Sequence, residues 1–163
     1  KFALEFPSKV LKLIVVDITP KKYNQSHKEI IDGLLKINLN KVNSRIEFDN
    51  QLLKFIPEIG IRQFLMKNLY RFSENKFALR FNIKTISNKI NNYYDEVLSD
   101  NKYLKETIFI KGELSNYIKL KDLKDIKKFF PIAKIEVVPN SGHWIHSEKK
   151  DYFLNLVLNF LKN

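Results

Sequence analysis

The chain has 163 residues, 44% of them hydrophobic and 29% charged, which is enough for one good core and ordinary for a globular protein. It carries no cysteine, so disulfides, thiolate chemistry and cysteine-ligated zinc are excluded, and its four glycines form neither a dinucleotide-binding fingerprint nor a P-loop. The formal net charge of +11 suggests nucleic acid, yet arginine stands only at positions 45, 62, 71 and 80 and the lysines are scattered, so a lysine-rich composition is preferred and no nucleic-acid partner is expected.

Along the chain, residues 1–6 read as the last turns of a helix stopped by Pro7. A domain rarely begins in mid-helix, so the chain is expected to be the carboxyl-terminal part of something longer. Residues 10–18 (VLKLIVVDI) are β-branched and nearly all apolar, as in a strand covered on both faces of a parallel sheet. Ser26-His27-Lys28-Glu29 has the form of a capping box, and Ile30, Ile31, Leu34, Leu35 and Ile37 follow at helical spacing, predicting a helix over 26–38. A second helix is expected over 41–55, ended by Pro57 and Gly60. Ile61, Phe64, Leu65, Leu69 and Phe72 mark a third helix, Ser73-Glu74-Asn75-Lys76 a turn, and 77–81 an optional extended segment. Residues 82–98 read as a fourth helix.

Thr107-Ile108-Phe109-Ile110 is a short buried strand ending at Lys111-Gly112. Leu120, Leu123, Ile126 and Phe130 mark a helix stopped by Pro131, residues 133–138 a third strand, and Tyr152, Phe153, Leu156, Val157, Phe160 and Leu161 the apolar face of a final helix. Strands alternating with helices argue for an α/β fold with a parallel sheet. The block between the first and second strands is too long for a simple crossover. It reads as an inserted helical lid over the carboxyl ends of the strands, dividing the chain into core 1–19, lid 20–104 and core 105–163. No apolar run approaches the ~20 residues that span a bilayer, and the composition suits a reducing compartment, the cytoplasm or an organelle matrix.

The chemistry-bearing residues stand at strand ends, where open α/β sheets bind their ligands. His143 follows the third strand and the turn cluster Pro139-Asn140-Ser141-Gly142; it can exchange protons near neutral pH as a general base, or be a loop histidine. Asp17 ends the first strand, where a carboxylate can orient a histidine; otherwise it caps a turn before Pro20. Ser115, past Gly112, can hydrogen-bond across the site or be an ordinary loop serine, and Glu113 is a rival acid. His146 completes a His-x-x-His with His143, but no third ligand stands at suitable spacing, so no metal is expected and His146 reads as a packing residue. His27 is expected to be solvated. No Gly-x-Ser-x-Gly occurs anywhere in the chain.

Several segments carry a resemblance: Phe2-Ala3-Leu4 through Pro7, Lys12-Leu13-Ile14-Val15-Val16-Asp17-Ile18-Thr19-Pro20 with Tyr23, Ile61-Arg62-Gln63-Phe64-Leu65, Arg80-Phe81-Asn82, Phe109-Ile110-Lys111-Gly112 with Ser115-Asn116-Tyr117-Ile118, and Gly142-His143-Trp144-Ile145-His146-Ser147-Glu148. In order and spacing the chain resembles the α/β-hydrolase superfamily, and within it the YbfF-like small esterases. The resemblance implies the carboxyl-terminal part of that fold, its last three strands, and a serine hydrolase of small acyl esters or thioesters, acyl-CoA included, without metal or cofactor. It makes His143 the base. The superfamily's usual acid stands three residues beyond a glycine, here Ser115; the subgroup has serine there too and takes its acid from the earlier strand, which matches Asp17 and leaves Ser115 as an auxiliary group. Glu113 remains an alternative. The nucleophile would sit in a strand–turn–helix elbow before Lys1, so these residues alone are expected to have no turnover, and the first strand to lack one neighbour. A non-catalytic binding or scaffold protein on the same fold is the alternative, and the oligomeric state is left open.

Overall fold

The computed structural model describes residues 1–24, 27–74 and 76–162. Its contacts fall into two units, one of Lys1–Lys22 with Glu96–Asn163 and one of Tyr23–Asp95. Among the described residues no helix is long and apolar enough to cross a membrane.

In the first unit, α1 (Phe2–Glu5) ends ahead of Pro7, as proline requires, and a 3-10 turn at Pro7–Lys9 leads into β1 (Leu13–Val16). Before this unit resumes, the chain forms the second unit, with α2 (Lys28–Lys36), α3 (Arg45–Leu53), α4 (Ile59–Met66), β2 (Leu69–Ser73), β3 (Lys76–Leu79), α5 (Ile83–Lys89) and α6 (Asn91–Tyr94). The first unit continues with β4 (Thr107–Gly112), α7 (Leu123–Phe129), β5 (Lys134–Val138), α8 (Ile145–Glu148) and α9 (Lys150–Lys162).

The three strands of the first unit form a parallel sheet in the order β1-β4-β5. Val16 pairs with Ile110 and Gly112 with Val138, so the carboxyl ends of all three strands come level. The central strand β4 is buried at every position but Lys111, whereas the four residues of β1, at the sheet edge, are half-buried. Alternation along β4 assigns its faces. Phe109 packs with Ala3, Leu4, Tyr103, Ile126, Phe129 and Phe130. Ile108 and Ile110 pack with Val138, Ile145 and Phe160 on the opposite face. Each fully buried side chain of this size stabilises by about 1.5–3 kcal/mol before entropy is counted. The α/β class with three parallel strands is therefore as expected.

The second unit has its own core, in which Leu34, Phe48, Leu52, Ile56, Leu65, Leu69 and Phe77 meet. Gly33 lets α2 approach this core closely, since a Cβ there would lie 2.7 Å from Cβ of Phe55. Arg62 is buried and satisfied by Asp49 (2.9 Å) and by the carbonyls of Ile56 (3.1 Å) and Pro57 (2.7 Å). Arg45 donates to the carbonyls of Met66 (2.6 Å) and Leu69 (2.9 Å), and Arg80 lies over the Tyr70 ring. Arg62 is thus an internal clamp, while Arg45 and Arg80 are exposed and hold backbone and ring at the surface.

The expected run of the third helix to Phe72 is corrected here, while the extended segment allowed at 77–81 falls on β3. The third helix stops at Met66, and Leu69–Ser73 pairs antiparallel with Lys76–Leu79. The predicted stripe mistook Phe72 for a core position; it is 69% exposed, as strand alternation about buried Leu69 allows. The fourth helix breaks into α5 and α6 and ends at Tyr94, short of residue 98. The capping box at Ser26 and the turn residue Asn75 lie outside the described residues.

Candidate functional site

The site of the first unit begins with the turn that ends β1. Asp17 has φ 48°, in the left-handed region that aspartate tolerates better than most residues. Its backbone N–H still donates to Ile110 O (2.8 Å), one step beyond the strand, while its side chain is completely buried. A buried carboxylate requires partners. Oδ1 accepts from the Gly112 N–H (3.3 Å), and Oδ2 accepts from the Ser115 hydroxyl and from Nδ1 of His143 (2.8 Å). With Nδ1–H directed at a carboxylate, Nε2 is the nitrogen left as acceptor. The imidazole is 41% exposed, so that nitrogen's ring borders open space while its partner is shielded.

The loop bearing His143 is fixed by its backbone. At Gly112 a Cβ would stand 2.1 Å from Gly142 O and 2.6 Å from Ser141 O, so only glycine permits the β4 end to meet this loop. Glu113 N–H donates to Val138 O (3.0 Å) and Leu114 N–H to Ser141 O (2.9 Å). Glu148 brackets the histidine: its Oε2 accepts from the Gly142 N–H (2.7 Å) and its Oε1 from the Trp144 N–H (3.2 Å). A glutamate in the first turn of α8 can reach these donors and favours the positive end of the helix.

Tyr117 closes the other side. Its ring is stacked on the His143 imidazole with centroids 3.9 Å apart and planes 13° from parallel. Its N–H donates to Ser115 Oγ (3.2 Å), and its carbonyl accepts from Lys21 Nζ (2.9 Å). Lys21 also pairs with buried Asp122, which accepts from the Lys119 N–H (2.8 Å) as well. Burial pushes the Asp122 carboxyl up, but hydrogen bonds from Lys21 and Lys119 and the charges of Lys21 and Lys121 together hold it below the usual carboxylate range.

Asp17, Ser115 and His143, read from the sequence as site residues, thus stand in mutual contact through the Asp17 carboxylate. Glu113, the rival acid, instead accepts the Asn140 N–H with Oε2 (2.8 Å), supporting a turn whose Asn140 has φ 50°. His146 lies edge-on to Phe153, 6.4 Å between centroids. His27, expected to be solvated, is exposed and has Nδ1 2.8 Å from the Tyr94 hydroxyl. Tyr117 and Glu148 entered the sequence reading only as members of the resemblance segments and were given no site role. The first-turn position of Glu148 was a usable signal; the ring stack had none.

No family model matches the chain. The sn-1-specific diacylglycerol lipase ABHD11 of Danio rerio is 31% identical, covering 98% of this chain and 52% of that protein. Esterase YbfF of Escherichia coli is 26% identical over 93% of this chain and 58% of its own length. A solved marine microorganism esterase superposes with a TM-score of 0.92 at 36% identity, covering 98% of this chain and 64% of that one. The chain therefore spans little more than half the length of the named lipase and esterase it matches.

Proposed function

Because the chain belongs to the α/β-hydrolase superfamily, with esterases and lipases as its relatives, we propose that it supplies the acid–base half of a serine esterase. The observation that carries this reading is the 2.8 Å contact between His143 Nδ1 and the buried Asp17 carboxylate, with the Ser115 hydroxyl on the same oxygen. In the reading, a serine from a segment outside these 163 residues attacks the acyl carbonyl. His143 Nε2 takes the serine proton and returns it to the leaving group. Asp17 holds the tautomer and stabilises the imidazolium that forms. Ser115 donates to Asp17 and keeps the carboxylate oriented.

The proposed substrates are small carboxylic esters or thioesters, acyl-CoA among them, with the segment between β1 and β4 serving as lid. Glu113 is excluded from the acid role in this reading because its carboxylate is engaged by Asn140.

The test is hydrolysis of a p-nitrophenyl and thioester series by the polypeptide extended upstream of Lys1, with His143→Ala, Asp17→Asn and Glu113→Gln. The first two are expected to lower kcat by a factor on the order of a thousand or more. Glu113→Gln is expected to stay within about threefold, having lost neither base nor orienting group. Full activity in His143→Ala, or turnover by the 163 residues alone that His143→Ala abolishes, contradicts the assignment. Binding of acyl ligand without turnover supports a scaffold on this fold instead.

A further inference from the structure

We propose that Tyr117 is a positioning residue of this site: its ring holds the His143 imidazole in the plane that keeps Nδ1 on Asp17 and Nε2 free. The inference rests on the hydrolase reading only for its effect on turnover. The positioning itself is a property of the 163-residue chain.

His143 sits on a loop, and its imidazole is 41% exposed. A single hydrogen bond at Nδ1 fixes one edge of a ring but leaves it free to tilt about that bond. A second restraint is needed for Nε2 to keep one direction, and in catalysis misplacement of about 1 Å costs on the order of a hundredfold. The Tyr117 ring provides it by lying 3.9 Å away and nearly parallel. Stacked aromatic pairs are worth roughly two- to tenfold in population beyond their buried area.

The Tyr117 ring can restrain a neighbour because its own backbone is anchored. Its N–H donates to the same Ser115 oxygen whose hydroxyl is bonded to Asp17, so ring and acid share one reference point. Its carbonyl is held by Lys21, which is itself paired with Asp122, 3% exposed. The next residue, Ile118, is 1% exposed in the core beneath. An aromatic anchored in this way forms a wall of the site.

The test compares Tyr117→Phe, which keeps the ring, with Tyr117→Leu, which removes it. In the 15N-labelled chain, the His143 Nδ1–H is expected as a downfield, slowly exchanging proton. Tyr117→Phe should retain it, while Tyr117→Leu should broaden it or speed its exchange about tenfold, with Tm reported alongside to show that both variants fold. An unchanged signal in folded Tyr117→Leu overturns the proposal, and so does its absence from the unmodified chain, which removes the Asp17 contact as well. In the upstream-extended polypeptide, Tyr117→Leu should lower kcat about tenfold with KM within twofold, rescued by Tyr117→Phe. If that polypeptide turns nothing over while the proton signal still depends on the ring, the hydrolase reading fails and the positioning role stands.

Discussion

Asp17 accepts from three donors in a place without solvent, so substitutions there separate stability from chemistry. Asp17→Asn keeps the side-chain volume and a residue type suited to φ 48°. Its amide presents N–H groups where the Ser115 hydroxyl and His143 Nδ1–H need acceptors, so the imidazole tautomer is lost first. Asp17→Ala leaves Gly112 N–H and the Ser115 hydroxyl without that acceptor and adds left-handed strain, for a cost of about 2–4 kcal/mol. Denaturant unfolding of the two variants should show a clearly larger loss for alanine; equal losses would mean that the carboxylate does not organise the strand ends. These three residues stood out in the sequence because each follows a strand end, but each also had an ordinary loop or turn reading, and only the resemblance joined them as base, acid and auxiliary group. Tyr117 did not stand out, because aromatic residues are common throughout this chain and only tertiary geometry selects the one lying on an imidazole.

Gly112 joins two elements, the end of β4 and the loop before α8. The backbone of that loop is nearer than any Cβ can tolerate, at 2.1 Å from Gly142 O. Gly112→Ala must therefore displace the His143 loop. The expected result is a loss of about 2 kcal/mol or more, with the His143–Asp17 contact lengthened, read by Tm and by the Nδ1–H signal. Unaltered values for both would show that the loop yields freely. Strands and helices of this unit followed from its apolar runs and from Pro7 and Pro131, although the strand expected over 10–18 pairs only at Leu13–Val16. The β2–β3 hairpin was less legible. Leu69 and Phe72 fall at a helical interval from Phe64 and Leu65, and only their burial, with Leu69 inside and Phe72 outside, distinguishes a strand. The one-turn helix α8 (Ile145–Glu148) had no reading of its own in the sequence, because no glycine or proline separates Glu148 from Lys150, where α9 begins.

For the molecule as a whole, the Lys21–Asp122 pair ties the segment after β1 to the one before α7. The Asp122 carboxyl is held below its ordinary range, so it contributes stability above the unfolded value near pH 4. That contribution is lost as pH falls through the lower, folded value. Stability of the chain should therefore decline more steeply below about pH 4 than that of Asp122→Asn; parallel profiles would mean that the pair is not formed in solution. The high lysine content does not obscure the reading of the site, since Lys21 and Lys111 donate to backbone carbonyls of its loops. What the sequence could not supply was the arrangement that makes a short parallel sheet present Asp17, Ser115 and His143 at one end, which requires the register of β1, β4 and β5. The most direct measurement is labelling by a fluorophosphonate probe of the polypeptide extended upstream of Lys1. Labelling of a serine in the extension, lost in His143→Ala and strongly slowed in Asp17→Asn, is the predicted result. A serine that labels equally well in both variants, or no labelling of the folded extended protein, would contradict the assignment of His143 and Asp17 as its base and acid.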